Sequence, residues 1–285
     1  MQKKGCFILQ QYIKDKLKLF YDNPVINWHE HVWTTDMWNN ADPGVLDTKR
    51  CDGLVEFAKT CGIDKLLCSV VSVNPHCTPK EQEIRNNATI EAMERHPDTI
   101  MGMAFVNPGN GKHTIKEVER CVREYGFVGI KMYHQYFMDD PVQYELVEKC
   151  IELDVPILMH AGKLVVGPNT QPRLSGGEHF ANIARRYPEA NFIMAHVTGG
   201  GDWSWQLKGI VDCPNVVTDI SGSVSDTRAV EESVRLLGVD RVLWGTDGSA
   251  SAGVGKLLSA NLTDEEKKII LAGPRYERFL KKGAK

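Results

Sequence analysis

Short apolar, β-branched runs alternate along this chain with longer charged segments of helical period. The apolar runs are 25–33 (VINWHEHVW), 65–73 (KLLCSVVSV), 99–107 (TIMGMAFVN), 127–133 (FVGIKMY), 155–162 (VPILMHAG), 191–199 (NFIMAHVTG), 215–223 (NVVTDISGS) and 241–249 (RVLWGTDGS). Each predicts a strand buried on both faces. Helices are predicted between them over 78–96, 112–125, 141–153, 176–187 and 226–237, and at the end over 263–272 and 274–282. Thr78 with Glu81 and Thr263 with Glu266 have the spacing of capping boxes.

Eight strands, mostly followed by helices, predict an α/β fold, a (β/α)8 TIM barrel. A doubly wound sheet is the alternative, but no glycine-rich dinucleotide fingerprint follows the first strand. Leu9, Ile13, Leu17 and Phe20 predict an extra amphipathic N-terminal helix. The expected organisation is a helical extension over 1–24 and one barrel domain over 25–285. No linker rich in proline or serine divides the chain. SASAGVGK (249–256) hints at a phosphate loop, but its glycine spacing is wrong and Leu257 stands where Ser or Thr is needed.

Composition narrows the class. The 285 residues are 42% hydrophobic and 25% charged, with net charge −3 and no basic stripe. Nucleic acid and membrane surfaces are therefore not expected partners. The first apolar run stops at Gln10, too early for a secretory signal, and no run of 18 apolar residues exists. The eight cysteines form no Cys-x-x-Cys and several fall inside strand or helix patterns. They read as reduced thiols of a cytoplasmic protein.

In such a barrel, chemistry sits where the strands end. Strand 1 delivers His29 and His31, strand 2 is followed by Asn74 and His76, and strand 4 gives Lys131 with His134 beyond. Strand 5 ends in His160, strand 6 in His196 and strand 8 in Asp247. Residues i and i+2 of a strand share a face, so His29 and His31 both face the axis, where imidazoles hold divalent metals. By the same rule Trp28 points outward into the helix layer. His160 and Asp247 would complete a site with room for water. The plain alternative for a lone His-x-His is a pair of hydrogen-bonded core histidines. Trp33 and Trp38 are candidate pocket walls, as are Trp203 and Trp205 in GGGDWSW. Arg173 is a candidate grip for a substrate carboxylate, or a surface arginine.

The segments NWHEHVW, GIKMY, ILMHAG, MAHVTGG and LWGTDGS, with GPRYERFL near the end, resemble the amidohydrolase superfamily, closest to its amidohydrolase-related branch. That branch contains metal-dependent hydrolases of amides, esters and lactones, and non-oxidative decarboxylases of aromatic or dienoic acids. The resemblance implies His29, His31, His160 and Asp247 as metal ligands, with Asp247 also the proton acceptor and catalytic. His196 is implied as a ligand or acid–base group. Lys131 resembles either a residue that becomes a carbamate bridging two metals or one that binds substrate; one metal is the expectation. The family usually has Asp two residues before the first His, and here Asn27 stands there.

The expected function is therefore metal-dependent hydrolysis of a small substrate, carboxylate-bearing if Lys131 and Arg173 bind it. A decarboxylase is the alternative, and a non-enzymatic metal-binding barrel the third reading. One zinc ion is expected, manganese being the other choice, with a small-molecule substrate as partner and a homodimer as the assembly allowed for.

Overall fold

The computed structural model describes residues 15, 17–36, 44–70, 76–162, 171–197, 199, 202–222 and 224–281. Its eight strands are β1 (Ile26–Val32), β2 (Lys65–Val70), β3 (Ile100–Phe105), β4 (Gly129–Met132), β5 (Ile157–Met159), β6 (Phe192–Met194), β7 (Val216–Asp219) and β8 (Val242–Leu243). They lie in sequence order in one parallel sheet. Backbone hydrogen bonds from Trp28 N–H to the Trp244 carbonyl (3.0 Å) and from Asp247 N–H to the His29 carbonyl (2.8 Å) join β8 back to β1. The fold is the expected (β/α)8 barrel.

The helices between the strands are α1 (Thr48–Thr60), α2 (Pro79–Arg95), α3 (Lys112–Tyr125), α4 (Tyr144–Leu153), α5 (Gly177–Arg186), α6 (Trp203–Ile210) and α7 (Thr227–Leu237). After β8 come α8 (Ala250–Ser259), α9 (Asp264–Ala272) and α10 (Glu277–Leu280). Both predicted capping boxes form, at Thr78 with Glu81 and at Thr263 with Glu266. Three helices the sequence pattern did not single out are α1, α6 and α8. The last contains the SASAGVGK glycines, and Gly253 lets it pack closely on Thr246. Of the predicted N-terminal helix, residues 17–21 are helical and most of the rest lies outside the described residues, as do Trp38 and Asn74.

One expectation is corrected. Trp28 does not point into the helix layer. It lies in the apolar cluster inside the barrel, with Leu67, Leu158, Val217 and Leu243, and meets Tyr276 edge-on at 5.5 Å. The cause is a bulge in β1: Asn27 pairs with Leu66 but Glu30 pairs with Cys68, so three steps on β1 match two on β2. A bulge breaks the alternation of faces. Trp28 and His29 are consecutive and both turn inward, one into the floor and the other into the mouth.

Candidate metal centre

Polar groups collect at the carboxyl ends of the strands, above that apolar floor. On β1, His29 and His31 are buried. His29 Nδ1 lies 2.9 Å from Asp219 Oδ2, at the end of β7. The carboxylate accepts the Nδ1 proton, so Nε2 faces the cavity as a lone pair. There it stands 2.9 Å from Lys131 Nζ, which donates to it, and 3.6 Å from Asp247 Oδ1. His31 Nδ1 is 3.0 Å from the Ser69 carbonyl, and its Nε2 lies 2.9 Å from Asp247 Oδ1. Two acceptors this close need a proton or a metal ion between them.

His196 and Asp247 hold backbone angles that L-residues adopt reluctantly, with φ of 62° and 48°. Such strain tends to gather at functional sites. Each is tied down. His196 N–H donates to Asp219 Oδ1 at 3.1 Å, and its Nδ1 lies 2.8 Å from the Ser221 hydroxyl. That hydroxyl also bonds the same Asp219 oxygen. His29, His196 and Asp247 bring one ligand atom each to within 4.8 Å of one another.

His160 is beside this group. Its ring sits 4.7 Å from that of His196, edge-on, and its Nε2 is 2.9 Å from Gln171 Oε1. Of the four imidazole and carboxylate groups expected to act as ligands, His29, His31 and Asp247 converge directly. His196 joins them more closely than His160 does.

Burial sets the charge states. It pushes His29 and His160 below the ordinary histidine range and His196 down to about 3. For His29 the neighbouring Lys131 adds to this. Burial works the other way on the acids, but His196, His29 and His31 outweigh it and hold the Asp247 carboxyl well below its usual range. Asp219 is likewise held low by His29. Asp247 is thus ionised wherever a neighbouring imidazole holds a proton, and loss of that proton leaves the neutral imidazoles and carboxylate that bind a divalent cation. The nitrogen and oxygen donors present therefore fit a divalent metal. Burial also brings Lys131 down to about 8.

His76 and Arg173 both lie against Tyr136, at 5.9 and 5.6 Å from its ring. His134 packs on the His160 ring at 5.9 Å. Arg173 Nη1 donates to the Gln135 carbonyl at 3.0 Å. Trp33 lies beside Gly248 at the rim. Trp203 packs partly buried against the core, and Trp205 is 64% exposed on α6. Sequence reasoning missed Asp219 and Ser221. The signal was the Asp that closes the apolar run NVVTD, at the same strand-end position as the groups that were found.

The family model described as Amidohydrolase matches residues 26–266. A 2-keto-4-carboxy-3-hexenedioate hydratase of a Sphingobium species is 25% identical over 151 residues, 45% of this chain and 43% of that protein. A 2-amino-3-carboxymuconate-6-semialdehyde decarboxylase of Dictyostelium discoideum is 22% identical over 198 residues, 57% of this chain and 54% of that protein. The matched part thus spans about half the length of these curated relatives. Among solved structures, 5-carboxyvanillate decarboxylase of Novosphingobium aromaticivorans, complexed with manganese and a nitrobenzoic acid, superposes with a TM-score of 0.70. It is 17% identical, and the match covers 90% of this chain and 96% of that one. Among the described residues no helix is long and apolar enough to cross a membrane.

Proposed function

Since this chain belongs to the amidohydrolase family, we propose that it is a metal-dependent lyase that decarboxylates a small unsaturated or aromatic carboxylic acid. The observation that carries this reading is the charge pattern of the site. Two cations, Lys131 in the site and Arg173 on the loop after β5, are bonded to an imidazole and a carbonyl, and among the described residues neither is paired with a carboxylate. Of the carboxylates here, Asp219 and Glu30 are buried and bonded into the wall, and Asp247 is the one whose side chain is partly exposed, at 30%. Such a site suits an anionic substrate better than a neutral amide or ester. The names of the relatives, a decarboxylase and a hydratase of polycarboxylates, support a lyase over the hydrolase expected first.

In this reading His29, His31, His160 and Asp247 hold one ion, zinc by first expectation and manganese by analogy with the solved relative. To act as ligands, His160 Nε2 would have to give up Gln171 and His29 Nε2 would have to give up Lys131. The ion supplies Lewis-acid polarisation of a substrate oxygen. Lys131 and Arg173 bind and orient substrate carboxylates, Arg173 through the N–H groups not given to Gln135. Asp247, ionised at rest, would take up a proton from solvent at its partly exposed side chain and pass it to the carbon losing CO2, and Ser221 holds the His196 ring beside it. The apolar floor and the buried imidazoles keep bulk water from that carbon. We place the protein in the cytoplasm with a small molecule as its partner.

The test is a panel of dienoic and hydroxybenzoic acids offered to the manganese- or zinc-loaded protein, with CO2 release measured. Release that disappears in Asp247→Asn supports decarboxylation. Addition of water without CO2 would make the protein a hydratase. Ester or lactone cleavage alone would return the reading to hydrolysis.

A further inference from the structure

The middle residue of His29-Glu30-His31 has no part in the chemistry above. Yet Glu30 is buried, 2% exposed, and receives donors on both oxygens. Oε1 accepts the N–H of His31 and the N–H of Gly248, each at 2.9 Å. Oε2 accepts from the Thr246 hydroxyl and from Asn27 Nδ2 at 3.3 Å. One oxygen atom is thus bonded both to a candidate ligand, His31, and to the residue that follows another, Asp247. These two ligands come from opposite ends of the chain and meet across the β1–β8 seam. The seam is weakly paired there, because β8 is two residues long and Asp247 and Gly248 are consecutive residues at φ 48° and 74°.

Asn27 is the complement of Glu30. Its Oδ1 accepts the N–H groups of His29 and Thr246, each at 3.2 Å. Its Nδ2 donates to Thr246 Oγ1 at 2.7 Å and to Glu30. The pair presents one acceptor side, one donor side and a single carboxylate. A second carboxylate at 27 would face the first across a buried gap, and an amide at 30 would turn its NH2 on that of Asn27. Both leave buried polar groups mismatched.

We infer that Glu30 is a positioning residue of the metal site, setting His31 against Asp247, and that it works only opposite a neutral amide at position 27. The inference rests on the metal-binding reading above.

Metal-free full-length protein titrated with Mn²⁺ alone, with free Mn²⁺ read by electron paramagnetic resonance, tests it in wild type, E30Q, N27D and the exchange N27D/E30Q. Thermal unfolding is followed in parallel. Each single variant should weaken Mn²⁺ binding about 10- to 100-fold, the loss typical of groups that orient metal ligands. The exchange should return to within about threefold of wild type, a strongly non-additive result. Single variants that melt earlier but bind Mn²⁺ like wild type overturn the inference, as does an exchange as weak as either single. Should a single variant not fold, the exchange decides: folded and tight supports the inference, folded and weak overturns it. Wild-type protein that binds neither Mn²⁺ nor, by chelator competition, Zn²⁺ overturns the metal-site reading itself and this inference with it; if it binds Zn²⁺ alone, the same four proteins are compared with Zn²⁺ and the same outcomes decide.

Discussion

His29 Nδ1 and Asp219 Oδ2 meet at 2.9 Å, both buried, with the His29 Nε2 turned towards Asp247. A carboxylate on one ring nitrogen fixes the tautomer and makes the other nitrogen a better ligand. Asp219→Asn should raise the metal dissociation constant about 10- to 100-fold. Competition with a chromophoric chelator measures it; unchanged affinity would remove Asp219 from the site.

His160 and His196 have different parts in this account, although their rings touch. His160→Ala should lose most of the bound metal. His196→Ala should keep the metal and lose turnover, by about 10²- to 10⁴-fold if it assists proton movement. Metal content and kcat on the two variants check this. The reverse pattern would make His196 the ligand, as its closer approach to His29 and Asp247 allows.

Arg173 should act on binding. Arg173→Ala is expected to raise KM with kcat little changed, the mark of lost uniform binding. A charged hydrogen bond is worth about 1.5–3 kcal/mol, or roughly 10- to 100-fold in kcat/KM. Equal loss in kcat and kcat/KM would place Arg173 in the transition state instead.

The thiols should be unreactive. Burial, with Asp52 beside Cys51 and Glu81 beside Cys77, pushes both thiols up to about 11. A raised pKa means less thiolate at a given pH, so their labelling should climb about tenfold per pH unit from pH 8 to 10 with no plateau. Cys61 is partly exposed and should label first among the described cysteines. Mass mapping after timed treatment with a disulfide reagent checks the order; fast labelling of Cys51 or Cys77 in folded protein would contradict it.

How much of this was legible in the sequence depended on whether the deciding contact was local. The barrel was, because eight apolar runs and two capping boxes are patterns of neighbours in the chain. His29, His31, Lys131, His160, His196 and Asp247 were found as polar groups at strand ends. Trp28 was misplaced because a bulge depends on pairing with β2 and leaves no mark in the alternation of β1. Asp219 was overlooked because a single Asp after a strand resembles a turn residue until its partner His29, 190 positions away, is known. Glu30 was hidden for the same reason: its partners Thr246 and Gly248 lie at the far end of the chain. α8 has no side-chain cap to announce it, and α1, although Asp47 caps it by accepting the Arg50 N–H at 3.1 Å, opens with no capping box.

The central claim is that these side chains hold a divalent metal, and its most direct test is elemental mass spectrometry of the purified protein beside His29→Ala/His31→Ala. About one equivalent of zinc or manganese, lost in the double variant while its far-ultraviolet circular dichroism is kept, is the predicted result. Wild-type protein that takes up no metal, even when grown and dialysed with zinc and manganese, would contradict it.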